Sequence, residues 1–276
     1  MILSRLVLAL LVLVSVQLGS ALAAPKAELW ARWEAHEPRS KLSLTHSAWT
    51  SFLERYVRTA EDGSTRFAYG AVTREDRAAL DDYVSALEAV PLRTLPRREQ
   101  LPFWVNLYNA LTVRVVLDHY PVASIRDIDI SPGLFADGPW GRQLATVEGE
   151  KVSLDDIEHR ILRPIWRDPR IHYAVNCASL GCPDLQPRAM TAVNSERFLE
   201  DGARAYINHT RGARIEDGRL IVSSIYDWFE EDFGSSDAGV IAHLKHYATR
   251  DLAAALESVT RISDDTYDWR LNDASE

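Results

Sequence analysis

Pro102-Phe103-Trp104-Val105-Asn106-Leu107-Tyr108-Asn109-Ala110-Leu111-Thr112-Val113-Arg114-Val115-Val116-Leu117 is the run that decides the architecture. It leaves hardly any polar face, so a helix over 102–119, ending at Tyr120-Pro121, is expected to be buried on most sides. Asn106 and Asn109, three apart, share one side of it. Burying two amides costs about 1–3 kcal/mol each unless they are hydrogen-bonded. Each therefore either satisfies backbone groups of a neighbouring loop or lines a site, where it could donate an N–H to a developing oxyanion. Tyr108 between them joins the substrate-binding candidates.

Before this run the pattern is amphipathic. Lys26 to His36, with Leu29, Trp30 and Trp33, has helical spacing, as does His46 to Ala60 with Trp49, Phe52, Leu53, Tyr56 and Val57. Their aromatic residues fit core packing better than a ligand cage. Thr73 with Asp76 resembles a capping box opening a helix to about Ala89, which Pro91 closes.

After it comes a long irregular stretch, Asp127 to Arg142, where Trp140 between Pro139 and Gly141 is a candidate rim or lid residue. Gln143 to Val147 and Lys151 to Ser153 read as a hairpin. Ser153, with Asp156 three residues on, caps a helix whose second turn carries Glu158 and His159. Ile171 to Val175 reads as a short buried strand running into Asn176-Cys177-Ala178-Ser179-Leu180-Gly181-Cys182-Pro183, the loop that holds both cysteines. Asn194 to Asn208 is helical, and Arg214 to Glu216 with Arg219 to Val222 forms a hairpin around Asp217-Gly218. Two amphipathic helices, Ser224 to Phe233 and Asp237 to Tyr247, precede an acidic tail carrying Tyr267-Asp268-Trp269. The sum is a single helix-rich α+β domain with a small antiparallel sheet. One globular unit, 24–276, holds a helical part (24–100), a core (101–234) and a C-terminal helix with its tail (235–276).

Composition bounds the function. Of 276 residues, 46% are hydrophobic, enough for a sizeable core. Arg5, the apolar run Leu6 to Leu18 and the small residues up to Ala23 read as an export signal over 1–23, cleaved after Ala23. The run is too short for a membrane anchor, and no second stretch is long enough to span a bilayer. Losing Arg5 leaves 30 Lys and Arg against 40 Asp and Glu, a formal charge of −10 that argues against nucleic acid or anionic lipid as partner. A small molecule or peptide is the expected ligand, and no cofactor is implied.

Three motifs, Phe103 to Ala110, Leu154 to His159 and His172 to Pro183, resemble the family catalogued as "domain of unknown function 547". The likeness runs from about Leu101 to Gly234. It implies a shared fold and a shared cluster at these motifs, without an assigned reaction.

In an exported chain Cys177 and Cys182 are a disulfide candidate. Closing so small a loop contributes roughly 2 kcal/mol, a modest staple that leaves room for reactivity. The spacing is not Cys-x-x-Cys, so a thioredoxin-like activity is not assigned from it. As a nucleophile Cys177 needs a base and an orienting group. An extended strand would put His172 about 16 Å away and on the opposite face, unless the chain bulges near Asn176. His159 can approach from its own helix, with Glu158 as acid or orienter. The expected catalytic set is thus Cys177, His172, His159 and Glu158, with Asn106, Asn109, Tyr108, Trp140, Asn176 and Ser179 about the substrate. That set suggests a cysteine-dependent hydrolase or acyl transferase acting on a small peptide or thiol compound. The alternative is a non-catalytic periplasmic binding module with a Cys177–Cys182 bridge. A metal site from Cys177, Cys182, His172 and His159 is a third possibility, although the spacing matches no usual zinc signature.

Overall fold

The computed structural model describes residues 25–133 and 137–274. The proposed export signal, residues 1–23, lies outside them. Three helices build the first half: α1 (Ser47–Tyr56), α2 (Arg74–Glu88) and α3 (Arg97–His119). The Asp76 N–H donates to Thr73 Oγ1, so Thr73 caps α2 as its sequence implies. Every residue of α3 from Glu99 to Val113 is buried, which makes it the axis of the larger apolar cluster. It begins five residues before Pro102, which sits inside the helix. Only the bond from residue 102 is lost, near the N-terminus where few bonds depend on it.

Other early expectations need correction. Lys26 to His36 has no regular structure apart from a 3-10 turn at Ala31–Glu34. The second helix stops at Tyr56, because Val57 turns extended and opens β1 (Val57–Thr59), paired with β2 (Thr65–Phe67). Asp62-Gly63 makes that turn, with Gly63 at φ 84°. Neither strand was anticipated.

The hairpin β3 (Ala145–Val147) and β4 (Glu150–Val152) turns through Glu148 and Gly149, both at positive φ. The helix after Ser153 is capped reciprocally: Asp156 N–H donates to Ser153 Oγ, and Ser153 N–H to Asp156 Oδ2. It is a π-helix over Asp156–Leu162 that continues as α4 (Arg163–Trp166). Pro164 has no N–H to give back to His159 and Arg160, five and four residues earlier. The N-terminal segment supplies both donors: Glu28 N–H reaches the His159 carbonyl and Trp30 N–H that of Arg160, each at 2.9 Å.

A second apolar cluster gathers α5 (Ser195–Ile207), β5 (Ala213–Glu216), β6 (Arg219–Ser223) and the later helices α6 (Ile225–Trp228), α7 (Asp237–Tyr247) and α8 (Arg250–Leu256). Ser224 to Phe233 is not one helix, since α6 gives way to a 3-10 turn at Glu230–Phe233. The acidic tail is part of the fold. Its β7 (Asp264–Thr266) pairs parallel to β6, Leu271 bridges Ser179, and Leu271 and Asn272 are buried. Residues 169–182 run between the two clusters, with Tyr173 in one and Ala174 in the other. Among the described residues no helix is long and apolar enough to cross a membrane.

Candidate functional site: a paired-thiol loop

The segment before the cysteines is not a strand. Asp168 accepts the Arg170 N–H and Pro169 takes the first helical position, so Pro169–Tyr173 forms a 3-10 helix. His172 thereby turns away from the cysteine loop. Its Nε2 lies 2.7 Å from Asp232 Oδ2, its Nδ1 lies 3.5 Å from Glu158 Oε1, and its ring stacks on Phe229. Burial works against its charged form, but the two carboxylates outweigh it and raise the pKa. A histidine with both nitrogens turned to carboxylates is favoured in its charged form and is not placed as a base for a thiol.

His159 is also elsewhere. Arg163 Nη1 donates to its Nδ1 at 3.1 Å, and burial lowers its pKa to about 4, keeping it neutral. Arg163, almost wholly buried, binds Glu231 and Asp232 as well. Burial pushes Glu158 up, but His159, His172 and Arg163 together pull its carboxyl down to about 2. Arg163, His172, Glu158 and Asp232 thus compensate one another's charge beside the Phe229 ring, with His159 neutral among them, and among the described residues no hydrogen bond joins either histidine to Cys177.

The cysteine loop is held by asparagines. Asn109 Oδ1 accepts the Asn176 N–H and its Nδ2 donates to the Ala174 carbonyl. Asn106 brackets Met190 in the same two-sided way. Both central-helix amides therefore pin loops, the role that burial without water requires of them. Asn176 carries the turn onward: its Oδ1 accepts the Ala178 N–H and its Nδ2 donates to the Pro183 carbonyl. Ala178 sits at φ 59°, a conformation a non-glycine residue adopts only when its surroundings enforce it.

Within that turn Cys177 is half-buried and Cys182 buried, and the candidate bridge between them is not formed. The Cys177 N–H donates to Cys182 Sγ at 2.9 Å. Around Cys177 Sγ stand Tyr267 Oη at 3.0 Å and Ser179 Oγ at 3.2 Å, themselves 2.9 Å apart. Burial raises the Cys177 thiol, but donors from Cys182, Ser179 and Tyr267 outweigh it and hold the pKa below its ordinary value. Burial and the neighbouring sulfur push Cys182 well above its own. Tyr108 is buried, close enough to feel the charges of both Glu158 and Cys177.

Tyr267 is the residue that sequence reasoning passed over. It arrives because the C-terminal segment lies against Gly181: Gly181 N–H donates to the Asp268 carbonyl and Leu180 N–H to that of Arg270. A Cβ at Gly181 would stand 2.7 Å from the Asp268 nitrogen and 3.0 Å from the Tyr267 ring. Only glycine permits that approach. The available signal was an aromatic pair, Tyr267 and Trp269, inside an acidic stretch. Trp140 is half-buried and meets Trp269 edge-on at 5.8 Å, next to the site without touching a sulfur.

Among the described residues no group of His, Cys, Asp and Glu is arranged to hold a metal, and the four residues considered for one divide between the charge network and the thiol loop.

Fold and site together define an α+β protein with a paired-thiol loop pinned to a buried helix. Residues 92–207, somewhat less than half of the chain, match the model of the family described as "Protein of unknown function, DUF547". The match starts before Leu101 and stops short of Gly234, so it includes both cysteines while Asp232 and Tyr267 come from outside it. No curated protein and no solved structure matches the chain.

Proposed function

We propose that this is an exported thiol protein in which Cys177 and Cys182 carry out thiol–disulfide exchange. The observation that carries the reading is the pair of hydroxyls, Tyr267 and Ser179, within hydrogen-bond reach of the Cys177 sulfur, next to a second, buried thiol. Thiol–disulfide exchange develops charge on sulfur alone, and sulfur is where these donors point. Acyl transfer by the same cysteine needs free donors for a carbonyl oxygen. Five N–H groups of the loop, those of Cys177, Ala178, Leu180, Gly181 and Cys182, are spent within the fold, which leaves few donors for an oxyanion and favours exchange over hydrolysis. Export, with cleavage after Ala23, supplies a compartment where disulfide substrates persist.

In the first step the Cys177 thiolate attacks one sulfur of a substrate disulfide. A mixed disulfide forms and the other substrate sulfur leaves as a thiolate. Cys177 then no longer bears the charge that raises Cys182, and Tyr267, which reaches both sulfurs, can donate to the second. Cys182 passes its proton to the departing thiolate and attacks Cys177, expelling the remaining substrate sulfur as a thiolate, which takes from solvent the proton that Cys177 gave up on ionising. The substrate disulfide gains two electrons and becomes two thiols, and the protein dithiol becomes a disulfide. In the oxidising direction the same steps run backwards.

Dithiobis(nitrobenzoate) tests this. The wild-type protein should release two equivalents of nitrothiolate and finish with an internal bridge and no adduct by mass. Cys182→Ser should release one equivalent and keep an adduct on Cys177. Wild-type protein that retains two adducts, or reaction starting at Cys182, would sink the proposal. Protein already bridged and inert to reduction would point to the binding module instead.

A further inference from the structure

Beside the thiol loop lies an open cleft of about 740 Å³, within the range of small-molecule sites. It is lined by Leu180 and Gly181 of the cysteine loop and by Tyr267, whose hydroxyl lies 3.0 Å from the Cys177 sulfur. Its charges come in both signs: Arg66, Arg211 and Arg270 against Asp62, Asp127 and Asp268. These side chains are already fixed by pairs, Arg66 with Asp62, Arg270 with Asp268, and Arg211 with Asp184 outside the cleft. Their positions are set before a ligand arrives, which lowers the entropy cost of binding one. His209 on the same wall is kept neutral mainly by burial and adds no charge to this balance.

Resting on the thiol-exchange reading, we infer that the cleft is its substrate subsite and takes small zwitterionic disulfides, of the cystine or cystinyl-peptide class. Guanidinium groups suit a carboxylate and aspartates suit an ammonium. A ligand of one sign gains from three of these residues and is opposed by the other three. A ligand carrying both signs a few ångströms apart gains from all of them. Cys177 does not itself line the cleft, so the disulfide of such a molecule reaches its sulfur once the Tyr267 side chain swings aside.

The test compares three disulfides on the wild-type protein: L-cystine (zwitterionic), cystamine (dicationic) and 3,3′-dithiodipropionate (dianionic). Each rate is divided by that of the same compound with free dithiothreitol, which removes differences in intrinsic reactivity. L-cystine should be preferred over both by about tenfold, the factor one charge-assisted contact supplies. Arg66→Gln should shift the preference towards cystamine, and Asp268→Asn towards dithiodipropionate. Equal normalised rates in the wild-type protein, with the nitrobenzoate reaction intact, would overturn the subsite and leave the thiol chemistry standing. A protein inert to every disulfide, nitrobenzoate included, would overturn both.

Discussion

Replacing Tyr267 by Phe removes one O–H donor from the Cys177 sulfur, at 3.0 Å, while leaving the ring that packs against Trp228 and Trp269. A hydrogen bond to a charged group is worth about 1.5–3 kcal/mol, which corresponds to a rise of roughly 1–2 pKa units for the thiol. Ser179 and Cys182 still donate, so the lower end is expected. Below both pKa values a one-unit rise cuts the thiolate fraction about tenfold, and the more basic thiolate is about threefold more nucleophilic. The net slowing is therefore about three- to fourfold. Iodoacetamide alkylation of Cys177, followed by mass spectrometry from pH 5 to 10, reads both quantities. The midpoint should move up by about one unit, with the rate at pH 6 falling by the smaller factor. An unmoved midpoint, or one that moves down, would show that Tyr267 does not stabilise the thiolate.

Gly181→Ala should cost about 1–3 kcal/mol in urea unfolding, because the new methyl meets backbone at 2.7 Å, and it should slow Cys177 alkylation by displacing Tyr267; wild-type stability would refute the close packing. Arg163→Ala removes the buried guanidinium that pairs with the half-buried Asp232 and the exposed Glu231 and should cost about 1.5–3 kcal/mol, with the Cys177 alkylation midpoint measured on the folded variant little changed. A large drop in that midpoint would tie the charge network to the thiol. Stability should fall with acid in two stages. Burial holds His46, His159 and His243 near pKa 4, so their contribution is complete above the unfolded value of about 6.5 and is lost as pH falls from there towards 4. Glu158, held near 2, adds a loss from about pH 4.5 downwards. His172, raised, works the other way and stabilises at low pH, but it is one group against three. A thermal midpoint at pH 4.5 equal to or above that at pH 7.5 would contradict this.

Much of the architecture was legible because it depends on local chemistry. The unbroken apolar face of 102–119, the Thr73 and Ser153 caps and the Asp217-Gly218 turn each act within a few residues. The strand assigned to 171–175 failed for an instructive reason. Its four apolar or aromatic residues fit a buried strand and a buried 3-10 turn equally, and the deciding signal was the Asp168-Pro169 start just before them. With that turn in place His172 faces Asp232, sixty residues on, and the pairing with Cys177 that a bulge near Asn176 would have allowed does not form. Cys177, Ser179 and Asn176 were found in the sequence because they sit in one loop. Tyr267 was not, since its placement depends on an absent side chain at Gly181 and on a parallel strand pairing that no local pattern announces.

Tyr267 lies ninety positions downstream of Cys177, and this separation has a temporal side. During synthesis from N- to C-terminus both sulfurs emerge and can fold onto α3 well before the phenol exists. Until β7 docks, Cys177 is a thiol missing one of its donors, slower to react with stray oxidants or foreign thiols. On the thiol-exchange reading, a chain in which β7 has not yet docked should therefore react more slowly at Cys177 than the folded protein.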